Sequence, residues 1–313
     1  MKILVCPLNW GLGHATRCIP LIHKLIAEGN ELVLVSDGFP LECMLLHFPK
    51  LRVINYPSYP IRYSSGKSQV FAMFRNLPNI IFTIYKEHKW LNRLLKKEAF
   101  DQVISDNRFG LWNRATHSIY LTHQLLVKMP WNLKILEPFA WLIHRSFIRK
   151  YDECWIPDKE GVDNLSGDLS HKYPLPRNAK FIGILSRFAI LPSKKIDATY
   201  DTVAVLSGVE PQRSLFEHEL IKRFQRSGQK VLIVCGQPAN KKRIYHVGDV
   251  TLVSHLCDDE LVSYLKGASK IIARSGYSTI MDLKTLNCFQ KAELIPTPGQ
   301  TEQEYLSKYN KSK

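Results

Sequence analysis

The segment that most constrains this chain is Lys2 to Ser36. Lys2–Leu8 (KILVCPL) is a short apolar run, and Gly11-Leu12-Gly13-His14 follows at once. Ile19, Leu21, Ile22, Leu25 and Ile26 then recur at helical spacing, with Gly29 as the stop. Glu31–Ser36 (ELVLVS) is a second run of buried type. This is a β-loop-α-β unit with a glycine loop at the carboxyl end of its first strand, the opening of a parallel, doubly wound sheet.

Further strands are expected at Leu51–Asn55, Gln102–Ser105, Ser118–Thr122 and Cys154–Pro157. Asn178–Asp201, with Pro192 and several lysines, reads as a linker. A second series follows: a strand at Thr202–Leu206, a helix around Leu215–Arg226, strands at Lys230–Cys235 and Thr251–Val253, a helix around Glu260–Leu265, and strands at Ile271–Ala273 and Ala292–Ile295. At 313 residues the chain exceeds what one core usually serves. The expectation is therefore two Rossmann-like α/β domains, residues 1–190 and 191–313, facing each other across a cleft.

Four loops at strand ends carry candidate chemistry. In Gly11-Leu12-Gly13-His14-Ala15-Thr16, the glycines let backbone amides approach an anion and the helix start adds a favourable dipole. A dinucleotide fingerprint is the rival, with Asp37 near the end of the second strand, but Thr16 stands where the third glycine belongs. His14 is either a helix-start cap or a catalytic base, since imidazole titrates near neutrality. Asp106 and Asn107 end a strand on the same side as Gly11, Gly13 and Thr16. In the second half, Ser207, Gly208, Gln212 and Arg213 follow one strand, and Arg274, Ser275, Gly276, Ser278 and Thr279 follow another. A diphosphate there would meet amides, hydroxyls and a helix dipole together. Ser275 also suits a plain N-cap. Asp282, one turn on, is either a ribose ligand or a solvated helix acid. Pro296–Tyr305 joins a strand to a helix through a proline-glycine turn, and Gln300, Gln303 and Glu304 offer amides and carboxylates to sugar hydroxyls.

Taken in order, these segments resemble the GT-B glycosyltransferases of family 28, which include the lipid I N-acetylglucosaminyltransferase of peptidoglycan synthesis. GLGHATR at 11–17 is similar to the family's amino-terminal loop with its histidine. Thr122-His123-Gln124 resembles its His-Glu segment, with Gln124 in place of glutamate. LSGVEPQR at 206–213 is similar to its phosphate loop, and ARSGYSTIMDL at 273–283 to its Arg-Ser-Gly pattern, with Asp282 replacing glutamate. In PTPGQTEQEY, Gln303 matches the first residue of a Gln-Gln pair and Glu304 departs from the second.

The resemblance implies transfer of a hexose or N-acetylhexosamine from a nucleotide sugar, UDP-linked in that family, to an acceptor hydroxyl with inversion. The carboxyl half would hold the donor, with the base near His255 and Leu256, and the amino half the acceptor, lipid-linked in that family. His14 is the expected base and His123 the reserve. Ser207, Gly208, Arg213, Ser275, Gly276 and Thr279 would stabilise the leaving diphosphate. Two departures stand out. The family continues past the Gln-Gln segment to a helix that crosses back to the first domain, whereas this sequence ends at Lys313 and reads as a shortened carboxyl-terminal domain. Glu293 also puts a charge in a strand expected to be buried, a cost of several kcal/mol if unpaired.

Composition narrows the partners. Against 28 acidic residues there are 43 basic ones, a formal charge of +15 that favours anionic partners. No RNA-binding fingerprint, zinc finger or helix-turn-helix signature accompanies it, so no nucleic-acid partner is expected. The seven cysteines show no paired spacing and read as reduced thiols. With no DxD sequence, no cofactor or metal is expected, the nucleotide sugar being a co-substrate. No signal peptide or membrane-length apolar run is found, so the cytoplasm is the expected compartment. Val70–Lys97, interrupted at Pro78, and Met129–Lys150 interleave apolar or aromatic residues with lysine and arginine. They read either as domain core with a solvated face or as a peripheral docking face for an anionic membrane on its inner side. Two rival functions stay open. One is a hydrolysing nucleotide-sugar epimerase, which needs further cleft carboxylates that the sequence does not assemble. The other is a non-catalytic nucleotide-sugar-binding protein.

Overall fold

The computed structural model describes residues 1–57, 77–191, 200–239 and 241–311. The first sheet contains β1 (Lys2–Pro7), β2 (Glu31–Ser36), β3 (Arg52–Asn55), β4 (Gln102–Asp106), β5 (His117–Leu121), β6 (Glu153–Ile156) and β7 (Ala179–Phe181), in spatial order 3-2-1-4-5-6-7. All its pairings are parallel. The central strands are buried on both faces, as Ile3, Leu4, Val5, Val33, Leu34, Val103 and Ile104 show, and so read as continuous apolar runs. Helices α1 (Leu12–Ala27), α2 (Gly38–His47), α3 (Leu77–Leu95), α4 (Glu137–Ile148) and the single turn α5 (Asp168–His171) connect them.

The second sheet holds β8 (Thr202–Val205), β9 (Val231–Val234), β10 (Ile244–Val247), β11 (Val250–Val253), β12 (Lys270–Arg274) and β13 (Ala292–Ile295), in order 10-11-9-8-12-13. Only β10 against β11 is antiparallel. Its helices are α6 (Gln212–Phe224), α7 (Asp258–Gly267), α8 (Tyr277–Thr285) and α9 (Thr301–Lys311). The architecture is the expected pair of Rossmann-like sheets.

Several local expectations change. The stretch read as a linker contains β7, which extends the first sheet beside β6, while Pro192 lies outside the described residues. Helix α6 starts at Gln212, three residues before the apolar pattern announces it. Pro78 is the second described residue of α3, and the stretch before Leu77, where an interruption would show, lies outside the described residues. The Val70, Met73 and Phe74 part of that stretch is outside the described residues. Glu293 lies in the edge strand β13, not in a buried one, and pairs with Lys270 at 2.7 Å and Arg223 at 3.2 Å.

The halves are closely joined. Leu165, Leu169 and Phe188, which precede β8, bury in the core of the second sheet. Helix α9, which carries Gln303 and Glu304, is also fastened to residues of the amino half. Asp168 N donates to Tyr305 OH at 2.7 Å, Tyr309 OH to Asn164 Oδ1 at 2.8 Å, and Asn310 Nδ2 to the Leu165 carbonyl at 3.0 Å.

Candidate functional site

In each sheet the chain runs both ways from a central strand, and the crevice outside the carboxyl ends at that split is where open α/β sheets bind ligands. In the first sheet the split lies between β1 and β4, which places Gly11–His14 and Asp106–Asn107 there. In the second it lies between β8 and β12, which places Ser207–Gly208 and Arg274–Thr279 there. The two crevices meet face to face. Ser278 Oγ donates to the Gly13 carbonyl at 2.9 Å, and a Cβ added to Gly11 would lie 3.4 Å from Gly208 Cα. Gly11 holds φ +86°, which disfavours any side chain, and lets the loops approach this closely.

Beside this contact lies a cavity of about 960 Å³, walled by both halves. His14 lines it, and its Nδ1 lies 2.9 Å from Asp106 Oδ1. Asp106 is fully buried and does not face an acceptor as expected; it holds His14 instead. Burial alone would raise the Asp106 carboxyl, but the charges of Arg17 and His14 and their hydrogen bonds outweigh it and hold it well below the carboxylate range. Burial is also the main cause that lowers His14; Asp106 opposes it and the Arg17 charge adds to it. The ring is therefore neutral at pH 7, and among the described residues no hydrogen bond engages its Nε2. Gly11, Gly13, Thr16 and Asn107 share this wall, the Thr16 hydroxyl donating to the Gly13 carbonyl.

His123 also lines the cavity, but both of its ring nitrogens are engaged, Nδ1 with Arg17 Nη1 at 2.9 Å and Nε2 with Glu302 Oε1 at 2.8 Å. Its ring stacks on Tyr277 at 4.1 Å and 2°. The reserve base thus has no free lone pair, and serves to join the halves.

On the carboxyl wall, Ser207, Gly208, Gly276 and Thr279 face the cavity, and Gly276 leads into α8, whose first-turn amides have no partner inside the helix. His255 and Leu256 line the same wall with Val205, Val234 and Leu261, an apolar slot beside the Ser207–Gly208 and Gly276–Thr279 loops. Asp282 reaches the cavity but is not a solvated helix acid. Burial raises its carboxyl to about 6 against the pull of Arg187, and Ser186 Oγ donates to its Oδ1 at 2.6 Å. Gln300 and Gln303 line the cavity, the Gln303 carboxamide oxygen accepting from Thr297 N at 2.8 Å.

Five expected donor ligands point elsewhere. Ser275 is fully buried and donates to the Gln303 carbonyl at 2.8 Å, tying the end of β12 to the start of α9. Arg274 lies 3.8 Å over the Phe216 ring and donates to the Pro296 carbonyl at 3.0 Å. Arg213 is claimed by Glu210 and Glu217, each at 2.7 Å. Gln212 is buried at the start of α6, and Glu304 is exposed on the far side of α9. In both helices the turn of the backbone sends these side chains away from the ligand side.

Sequence reasoning missed Arg17 and Glu302. Arg17, 2% exposed, is bonded to Asp106, and its nitrogens also meet both cavity histidines. It lies three residues after His14 on a helix, a spacing that puts the two on one face and was a usable signal. Glu302 reaches His123 from 179 residues away, a contact no local pattern announces.

No family model and no curated protein matches the sequence. Solved structures match over nearly the whole chain. One is LpCGTa in complex with UDP, at TM-score 0.58 and 13% identity, over 98% of this chain and 82% of that one. Another is the spinosyn rhamnosyltransferase SpnG complexed with thymidine diphosphate, at 0.55 and 12%, over 100% and 91%. A third is a putative UDP-N-acetylglucosamine 2-epimerase from Listeria monocytogenes, at 0.51 and 11%, over 99% and 87%. At such identity the property shared is the fold, a GT-B arrangement of two Rossmann-like halves around a cleft.

Proposed function

We propose that the chain is an inverting glycosyltransferase that takes a nucleotide-diphosphate sugar in the carboxyl half of the cleft and an acceptor hydroxyl in the amino half. The observation that carries this reading is the geometry of His14. A neutral imidazole, backed by a buried carboxylate, offers Nε2 to a cavity whose opposite wall is the amino end of a helix. The acceptor hydroxyl gives its proton to Nε2 as its oxygen bonds to the anomeric carbon, and the bond to the diphosphate breaks on the other face. The α8 amides, the Ser207–Gly208 loop and the Thr279 hydroxyl receive the charge that develops on the leaving phosphate. These donors let the diphosphate leave without a bridging cation. The apolar slot at His255 and Leu256 suits the base, and Asp282 the ribose hydroxyls. UDP and thymidine diphosphate, held by neighbours of the same fold, are the nucleotides to test first.

The amino-half end of the cavity is apolar, with Leu77, Ile80, Phe109, Val127 and Met129, which fits an acceptor carrying an apolar portion, such as a lipid-linked one. The same helix and the loop beyond Met129 expose Ile81, Phe82, Trp131, Ile135 and Phe139 beside Lys86, Lys89, Lys134 and Arg145. This surface fits peripheral docking on an anionic membrane. No helix among the described residues is long and apolar enough to cross one.

Hydrolysing epimerisation is a second reading, favoured by the carboxylates Glu302 and Asp282 at the cavity. Against it, Asp106 is sealed from any substrate and Glu302 is occupied by His123. Thermal-shift titrations with UDP, thymidine diphosphate and their sugars, each in EDTA, test the proposal. A nucleotide at 100 times its dissociation constant stabilises by about 2.7 kcal/mol. No shift with any of them, or one that requires a divalent cation, refutes it.

A further inference from the structure

Arg17 occupies the centre of the polar cluster, and its guanidinium can only donate. Its Nη1 lies 2.9 Å from His123 Nδ1, so that nitrogen carries the lone pair and the ring hydrogen sits on Nε2, 2.8 Å from Glu302 Oε1. Its Nε donates to Asp106 Oδ2 at 2.8 Å, and its Nη2 to Asp106 Oδ1. His14 Nδ1 lies 2.9 Å from both Asp106 Oδ1 and Arg17 Nη2, and cannot donate to one while accepting from the other. The ionised carboxylate decides between them. It only accepts, so at 2.9 Å it faces a hydrogen rather than a lone pair, while Nη2 keeps one of its two hydrogens on Oδ1; the His14 hydrogen therefore resides on Nδ1.

We propose that Arg17 is a positioning residue that sets opposite tautomers on the two cavity histidines, Nδ1–H on His14 and Nε2–H on His123, so that one lone pair, His14 Nε2, is offered to the cavity. The proposal rests on reading His14 as the proton acceptor and adds what selects it over His123. Besides each other, the two rings face Arg17 on α1, Asp106 at the end of β4, Tyr277 on α8 and Glu302 on α9. Arg17 is 2% exposed, so water does little to screen its charge from His14. Its loss therefore removes both the fork that orients Asp106 and the cation that disfavours a His14 imidazolium.

Long-range ¹H–¹⁵N correlation on the full chain with ¹⁵N-labelled histidine, near pH 7.5, tests this directly, with the two rings assigned from His14→Gln and His123→Gln. The expected spectrum of the unaltered protein has an unprotonated Nε2 on His14 and an unprotonated Nδ1 on His123. The same tautomer on both rings, or an averaged pattern on either, overturns the proposal. In Arg17→Lys, which keeps the charge and loses the fork, His123 is expected to average between tautomers; an unchanged His123 pattern overturns it. In Arg17→Met the His14 titration midpoint is expected to rise, and an unmoved midpoint overturns it. Should Arg17→Met fail to fold, the unaltered protein and Arg17→Lys decide alone. The measurement needs neither donor nor acceptor, so it stands or falls separately from the transferase reading.

Discussion

Replacing Asp282 with asparagine isolates the energy of one buried charge. Burial raises this carboxyl from the usual 3.8 to about 6, against the attraction of Arg187 and the Ser186 hydrogen bond. As pH falls, the folded chain takes up the Asp282 proton before the unfolded chain does. Stability from this group therefore grows as pH drops from about 6 to about 4, and is lost as pH rises through the same window. Well above both values the ionised side chain costs the fold about 3 kcal/mol, at 1.36 kcal/mol per unit. At pH 5 the cost is about 1.6 kcal/mol by the same linkage. Asparagine keeps an oxygen for Ser186 Oγ and carries no charge to desolvate. Asp282→Asn should accordingly be more stable than the parent, and its advantage should be about 1.4 kcal/mol larger at pH 7.5 than at pH 5. Guanidinium unfolding at the two pH values measures this difference. The substitution should also weaken nucleotide binding by removing a ribose acceptor, a loss of function in exchange for stability. Equal destabilisation at both pH values would refute the reasoning, because it would mean that the carboxylate is held in the fold at no cost.

Two further outcomes follow from the site and its surroundings. His14→Ala should lower turnover by about 10²- to 10⁴-fold, while nucleotide affinity measured by calorimetry stays within about threefold, since the α8 amides and the Ser207–Gly208 loop are untouched; parallel losses in both would remove the assignment of His14 as base. Trp131 and Phe139 are 91% and 64% exposed, so Trp131→Asp with Phe139→Asp should leave thermal stability nearly unchanged and reduce flotation with anionic vesicles at low salt by about tenfold or more. Undiminished flotation would exclude this surface as the docking face.

Much of the fold was legible because its strands are buried on both faces. Runs such as KILVCPL and ELVLVS have one reading once a glycine loop and a helical pattern separate them, and Ala292–Ile295 falls where the pattern put it. Two strands without that burial, β7 and β10, were missed, although the edge strands β3 and β13 were found. In β10 all four residues are exposed, so the sequence had no apolar alternation to show, and β7 is a three-residue edge strand. At the site, the loops were legible from glycine and from their place at strand ends, which explains why Gly11, Gly13, His14, Gly208 and Gly276 share one cavity. The destinations of long side chains were not. Arg213 and Arg274 look like phosphate ligands in sequence, yet each is claimed by neighbours that only the tertiary structure supplies, a pair of glutamates and a phenylalanine ring.

Helix α9 starts with Glu302 and Gln303 on the cavity wall and finishes with Tyr309 and Asn310 fastened to the opposite half. One rigid rod therefore spans both bodies of the molecule. If the lobes part or twist, the carboxylate that touches His123 must travel with them, so the gap between lobes and the alignment of that imidazole behave as a single mechanical coordinate.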